Sequence, residues 1–267
     1  MTGPFRFTAG TAPLLVSMPH VGLGVPDDVA ARLTPDAMRL VDTDWHIDRL
    51  YDFLDGLGAS VLAATQSRYV VDLNRPSDDA ALYPGQATPG LFPTESFEGA
   101  ALYRPGMEPD AADKAARVEA WWRPYHAKLE AELARLVAAH GYALLWEAHS
   151  IAPVLPRLFE GRLPDINLGS NAGASCPAAV SAAVLEAAGK AGRYTAVLDG
   201  RFKGGHITRH YGRADGRVLA LQLELSQATY LAPGDPPELD PGLCAEVRPV
   251  LRSLVETYMA AAKRHFG

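Results

Sequence analysis

At 267 residues the chain is long enough to bury a large core, and 48% hydrophobic against 21% charged residues is a globular composition. A net charge of -6 without any lysine or arginine cluster argues against a nucleic acid or an anionic membrane surface as partner, and leaves a small molecule. No apolar stretch is long enough to cross a bilayer, and two cysteines, Cys176 and Cys244, are too few for a disulfide framework or a thiolate metal centre. The opening "MTGPFRFTAGTAPLLVSMPH" shows no basic leader, so a cytoplasmic protein with one domain over residues 1–267 is expected.

In chain order, "PLLVSMPH" predicts a short strand that stops at Pro19 and leaves His20 just past its end. "TDWHIDRLYDFLDGLG" predicts an amphipathic helix, with Thr43 as cap and Asp44 in the first turn. "ASVLAAT" and "SRYVVDLNRP" predict two strands, the second ending in Asp72, Asn74 and Arg75. Residues 77–109 are rich in proline and glycine, the composition of a long binding loop or lid. "AADKAARVEAWWRPYHAKLEAELARLVAAHG" has helical periodicity interrupted at Pro124, with His126 on the helix surface. "GYALLWEAHS" predicts a buried strand that delivers Glu147, His149 and Ser150 together at its carboxyl end. "CPAAVSAAVLEAAGKAG" predicts a helix; "YTAVLDG", "GHITRHYG" and "VLALQLELSQ" predict strands; "GLCAEVRPVLRSLVETYMAAAKRHF" predicts a terminal helix. This alternation implies an α/β fold, with a mixed, mostly parallel sheet covered by helices on both faces.

Open α/β sheets bind ligands at the carboxyl ends of their strands, where His20, Asp44 and His149 are expected. Two imidazoles and a carboxylate suit a catalytic zinc, which takes three such ligands and keeps a position for water. The plainer reading makes all three loop residues that cap helices or bond backbone. Asp42 and Asp48 compete with Asp44 for the carboxylate position. Glu147, two residues before His149 on the same side of a strand, is suited to orient the imidazole. Glu224 interrupts an apolar strand, either as a general base of raised pKa or paired to Arg213. Arg68, Asn74, Arg75, Arg209 and Arg213 offer donors for a carboxylate or an oxyanion. "GSNAGASC", with Asn171, could present backbone donors to an anion ahead of a helix.

Taken together, "SMPHVG", "DTDWHIDRLY", "SRYVVDLNRPSDDAALYPGQ", "EAHSI", "PRLFEGRLPDINLGSNAGASC" and "YGRADGRVLALQLELSQATYL" resemble the motifs, in order, of the N-formylglutamate amidohydrolase family of histidine degradation. The resemblance runs from about residue 14 to residue 231. It implies a zinc-carboxypeptidase-like, three-layer α/β/α fold and a single catalytic Zn2+, another divalent ion being the alternative. By position it makes His20 and His149 zinc ligands and Glu224 the general base, with Asn74 and Arg75 gripping a substrate carboxylate. Leu23 stands where carboxypeptidases carry a ligating glutamate, and Asp44 replaces it. The expected chemistry is hydrolysis of N-formyl-L-glutamate to formate and L-glutamate, with Arg68 or Arg213 supporting the oxyanion and Ser150 and Asn171 contacting substrate. The rivals are a zinc amidohydrolase or carboxypeptidase for another N-acyl amino acid, and a metal-free binding protein for an acidic amino acid.

Overall fold

Ala143–Ile151 and Val218–Ser226, two apolar runs of nine residues each, lie side by side in parallel, paired from Ala143 opposite Val218 to Ile151 opposite Ser226. They form the centre of the sheet in a computed structural model that describes residues 3–80 and 89–267. In chain order the elements are β1 (Phe5–Thr8), β2 (Leu14–Met18), α1 (Asp27–Ala30), α2 (Ile47–Leu50), β3 (Ser60–Ala64), α3 (Ala111–Arg117), α4 (Arg123–His140), β4 (Ala143–Ile151) and β5 (Ile166–Gly169). There follow α5 (Ala178–Lys190), β6 (Ala196–Leu198), α6 (His206–Tyr211), β7 (Val218–Ser226), β8 (Leu231–Ala232), β9 (Glu238–Leu239) and α7 (Pro241–Phe266).

Among the described residues, seven strands make one sheet in the order β1-β3-β2-β4-β7-β5-β6. The β3-β2-β4-β7 block is parallel, β1 and β5 run antiparallel to their inner neighbours, and β6 is parallel to β5. This is the mixed, mostly parallel sheet that the alternation of strands and helices implies. Because successive strand residues face opposite sides, Leu144, Trp146, Ala148, Leu219, Leu221, Leu223 and Leu225 pack in one core with residues of α5 and α7. Ala143, Leu145 and Ala220 face the other way, into a core shared with Tyr125, Leu129, Leu133 and Leu136 of α4. No helix among the described residues is long and apolar enough to cross a membrane.

Four local expectations are corrected. The helix predicted from Thr43 to Gly58 shrinks to α2 and a tight turn at Asp55–Leu57. His46 takes a left-handed conformation (φ 57°) at the start of α2, and the Asp44 N–H bonds the His20 carbonyl at 3.1 Å. Asp44 therefore precedes the helix and is fastened to the loop after β2, and Thr43 caps nothing there. "SRYVVDLNRP" is not a strand: the Asp72 carboxylate accepts the Asn74 N–H (2.9 Å) and Arg75 N–H bonds the Asp72 carbonyl (3.1 Å), so local bonds turn the buried chain. "GHITRHYG" is helix α6, for reasons that lie in the site. His126, expected on a helix surface, is buried. Pro124 lies inside a helix that runs unbroken from α3 into α4, directly after a π-helical stretch at Val118–Trp122 that accommodates its missing N–H. Of the 77–109 stretch, residues 81–88 lie outside the described residues, and so does much of the lid reading.

Candidate active site

On the α4 side, the residue sets of β4 and β7 change character towards the carboxyl end. Ala143 and Leu145 are followed by Glu147 and His149, and Ala220 by Gln222 and Glu224, with Glu147 opposite Gln222 and His149 opposite Glu224 in register. All four polar side chains are buried. The end of β2 supplies His20 and the turn before α2 supplies Asp44. One ligand atom from each of His20, Asp44 and His149 can be chosen so that all lie within 4.8 Å of one another. Asp42 and Asp48 do not join them: Asp42 accepts the Phe97 N–H (2.9 Å), and Asp48 pairs with Arg6 (2.5 Å).

Asp44 Oδ2 is 2.9 Å from Nδ1 of His149 and 3.7 Å from Nδ1 of His20. The opposite nitrogen of each ring rests on a second carboxylate: His20 Nε2 lies 2.7 Å from Asp72, and His149 Nε2 lies 2.7 Å from Glu147. Those carboxylates are themselves held. Asp72 accepts from Arg68 (2.5 Å) and from the Asn74 N–H; Glu147 accepts the Thr208 N–H (3.0 Å) and the Thr208 hydroxyl. An imidazole that donates Nε2–H to a carboxylate keeps its Nδ1 lone pair for a metal, and here both lone pairs turn towards the Asp44 carboxylate. Two nitrogens and one oxygen fit a zinc-like divalent cation with a coordination position left over.

The charges are unevenly compensated. Burial opposes ionisation of Asp72, yet Arg68 and His20 hold it well below the usual carboxylate range. Burial, reinforced by the Arg68 guanidinium, lowers His20. His149 goes the other way: burial lowers it, but Glu147 and Asp44 on its two sides win and hold it well above an ordinary histidine. The difference follows from position, since His20 adjoins a cation and His149 is flanked by acids. Burial drives Glu224 up to about 8, with His149 opposing and Asp44 reinforcing. Among the described residues no hydrogen bond reaches the Glu224 carboxylate. Asp44, Asp72, Glu147 and Glu224 thus surround two imidazoles with Arg68 among them, a set of acids whose full ionisation a divalent cation would favour.

The cavity above this group is also lined by Arg68, Asn74, Arg75, Ser150, Gln222 and Arg201, with Phe97, Leu158 and Phe202 supplying apolar wall. The fold thereby brings Arg68, Asn74, Arg75 and Ser150 to the site with the three candidate ligands and Glu224. Ser150 Oγ lies 2.7 Å from the Tyr230 hydroxyl. Arg213 is not brought there. It is exposed, its N–H bonds the carbonyl of Val218 at the amino end of β7, and its guanidinium caps the Arg209 and Gly212 carbonyls. The whole strand separates it from Glu224, so both the oxyanion role and the ion pair are corrected. Asn171 does not line the cavity either. It occupies a left-handed turn (φ 52°), and the N–H groups of "GSNAGASC" serve internal bonds and the Asp199 carboxylate.

Asp72, Thr208, Gln222 and Arg201 are among the site residues that the sequence reading left without a role. Asp72 sits as an acid in "YVVDLNR", an irregularity of the same kind as Glu224. Thr208 carries no such signal. Its segment is helical because three N–H groups meet side-chain acceptors from elsewhere: Gly205 on Gln222 (2.7 Å), Ile207 on Asn74 (2.9 Å) and Thr208 on Glu147. Ile and Thr in "GHITRHYG" favour a strand on propensity alone, and those acceptors override it.

Comparison with known proteins supplies the family. A model of the N-formylglutamate amidohydrolase family matches residues 12–231. The chain belongs to that family. Its relatives include an N-formylglutamate deformylase of Pseudomonas aeruginosa, 52% identical over 261 residues and 98% of either chain, and one of Pseudomonas putida, 48% identical over 254 residues and 95% of either chain. The fold is shared with the crystal structure of an N-formylglutamate amidohydrolase from Ralstonia eutropha JMP134, at a TM-score of 0.81, 24% identity and 98% coverage of each chain. In this amidohydrolase-family chain the site described above therefore lies within the segment that the family model spans, from His20 to Glu224.

Proposed function

We propose that the protein is an N-formylglutamate deformylase that hydrolyses the formamide bond of N-formyl-L-glutamate to formate and L-glutamate with one bound divalent ion, zinc by preference, as a late step of histidine breakdown. The observation that carries the metal is the pair of imidazoles, each backed by a buried carboxylate and turned with Nδ1 towards Asp44. His20, Asp44 and His149 would hold the ion; when bound, it supplies Lewis acidity to the formyl carbonyl and acidifies water.

The remaining roles belong to the chain's own groups. Glu224, buried one strand away from His149, accepts the proton of the attacking water and returns it to the departing amine nitrogen. A cation beside it opposes the upward push of burial and keeps it ionised for the first of those steps. Arg68, fixed by Asp72 and lying over the Phe97 ring (4.7 Å), supports the oxyanion. Asn74 and Arg75 hold a substrate carboxylate, and Ser150 lines the same cavity.

The test pairs metal analysis with a formate assay. Purified protein should carry about one zinc per chain, release formate from N-formyl-L-glutamate, lose that activity to a chelator and regain it with Zn2+. N-acetylglutamate or N-formylaspartate turned over faster would move the assignment to another N-acyl amino acid. Glutamate binding with neither metal nor formate release would leave the metal-free binder.

A further inference from the structure

N-Formylglutamate carries two carboxylates, and a site selective for it needs a cation for each besides the groups that act on the formamide. The cavity offers three guanidiniums. Arg68 is anchored through Asp72 to His20 and belongs to the reacting end. Asn74 and Arg75 lie close to that end as well: Asn74 Nδ2 is 3.1 Å from His149 Nε2. The α-carboxylate of the substrate is two bonds from the scissile nitrogen, so it must lie within reach of such a group. The side-chain carboxylate is four bonds from that nitrogen, two farther along, and needs a cation set back from the ligands.

Arg201 has that position. β6 is the edge strand, three places from β4 in the sheet, and the segment after it runs inward until it abuts Asn74. A Cβ on Gly205 would come within 2.2 Å of the Asn74 side chain, which is why the chain is glycine at that approach. Arg201 precedes that contact by four residues. The segment is fixed at both ends: the Asp199 N–H bonds the Leu168 carbonyl (2.8 Å), and the Gly205 N–H bonds Gln222. Between them the Phe202 ring packs edge-on against Phe159 at 6.1 Å, and Arg201 Nε donates to the Leu158 carbonyl at 2.7 Å. That bond fixes the orientation of a guanidinium that lines the cavity.

We infer that Arg201 is the specificity-determining residue that binds the side-chain carboxylate of the substrate, while Asn74 and Arg75 take the α-carboxylate. This rests on the deformylase reading above. The two carboxylates are thereby recognised by different segments, one tied to the ligand cluster and one to the sheet edge. A planar guanidinium fork suits a carboxylate better than an amide, so the assignment makes a definite statement about N-formyl-L-glutamine, the neutral isostere.

The experiment compares kcat/KM for N-formyl-L-glutamate and N-formyl-L-glutamine in wild type, Arg201→Gln and Arg75→Gln. Arg201→Gln should lower the glutamate-to-glutamine ratio by about 100-fold, chiefly through the KM for glutamate, because a charge-assisted contact present for one substrate alone is removed. Arg75→Gln should depress both substrates and leave the ratio within about threefold. Arg201→Lys, which keeps charge but not the fork, should recover part of the ratio and checks that loss is not misfolding. The assignment is overturned if Arg201→Gln depresses both substrates alike, or if Arg75→Gln is the variant that collapses the ratio. A wild-type protein that releases no formate from either substrate removes the deformylase reading and this assignment together, a result distinct from an unchanged ratio.

Discussion

β4 and β7 present two faces built from alternate residues of the same strands, and the faces obey opposite rules. Towards α5 and α7, Leu144, Trp146, Ala148, Leu219, Leu221, Leu223 and Leu225 are uniformly apolar and contribute burial at about 25 cal/mol per Å². Towards α4 and α6 the apolar set ends halfway, and Glu147, His149, Gln222 and Glu224 occupy places that are buried as well. Burying those carboxylates opposes folding unless each is paired. Glu147 has Thr208 and His149, Gln222 has Gly205, and Asp72 behind His20 has Arg68. Glu224 has no such hydrogen bond among the described residues. One face stabilises the sheet so that the other can hold a buried acid that nothing structural requires.

Neighbouring substitutions should separate these faces. Glu224→Gln should cut turnover about 10²- to 10⁴-fold with the zinc content unchanged. Its effect on stability should have the reverse sign. Burial raises this acid from 4.5 to about 8, so the folded state binds its proton more tightly than the unfolded state. The metal-free wild type therefore loses stability as pH climbs through that window, and the variant escapes the loss. Melts in chelator at pH 5 and pH 9 check it; a variant that melts well below wild type at pH 9 contradicts the assignment of Glu224 as an unpaired charge. Leu223→Ala, one residue earlier, should instead remove about 2–5 kcal/mol of stability and leave turnover per folded molecule near wild type. Denaturant unfolding with an active-site titration reads both.

The same contrast explains what was legible in the sequence. Acids and a histidine inside nine-residue apolar runs stand out against a background of Leu and Ala, so β4, β7 and the grouping of His20, Asp44 and His149 could be anticipated from local pattern. Glu147 could too, because a spacing of two on a strand fixes it beside His149. α6 could not, since its helical form depends on Gln222, Asn74 and Glu147, which come from three other segments. Arg213 misled for a related reason. "YGRADGRVLAL" places it near β7 in sequence, but five residues before a strand is the opposite end from the strand's last polar residue.

His126 tests the rim of the polar face. Its ring stacks on Trp122 at 3.8 Å, its Nε2 lies 2.8 Å from the Leu73 carbonyl and its Nδ1 lies 2.9 Å from the Tyr211 hydroxyl, a full set of partners for a neutral imidazole. Burial, helped by His206 and His210, drives it down to about 3. The folded state thus refuses a proton that the unfolded state accepts near 6.5. Stability from this group is complete above pH 6.5 and is lost as pH falls towards 3, at up to about 1.4 kcal/mol per pH unit for one proton. His126→Gln keeps a donor for Leu73 and removes the titration, so its stability should fall less steeply with acid. Parallel slopes for variant and wild type between pH 6.5 and 4 would show that His126 already protonates in the fold.

The smallest effect expected is at Arg213. The guanidinium is exposed and bonds two backbone carbonyls at the amino end of β7, so Arg213→Gln should change stability by no more than about 0.5 kcal/mol and leave kcat and KM within about twofold. Arg68→Gln is the matched contrast: it strips a buried cation from Asp72, leaves that carboxylate facing His20 without compensation, and should cost about 3–5 kcal/mol as well as activity. Two arginines that look alike in sequence would then differ by several kcal/mol because one lies at the carboxyl end of the sheet beside buried acids and the other at the amino end in water. Comparable losses in the two variants would mean that Arg213 reaches the cavity in the working enzyme, and that the division between the two ends of β7 is wrong.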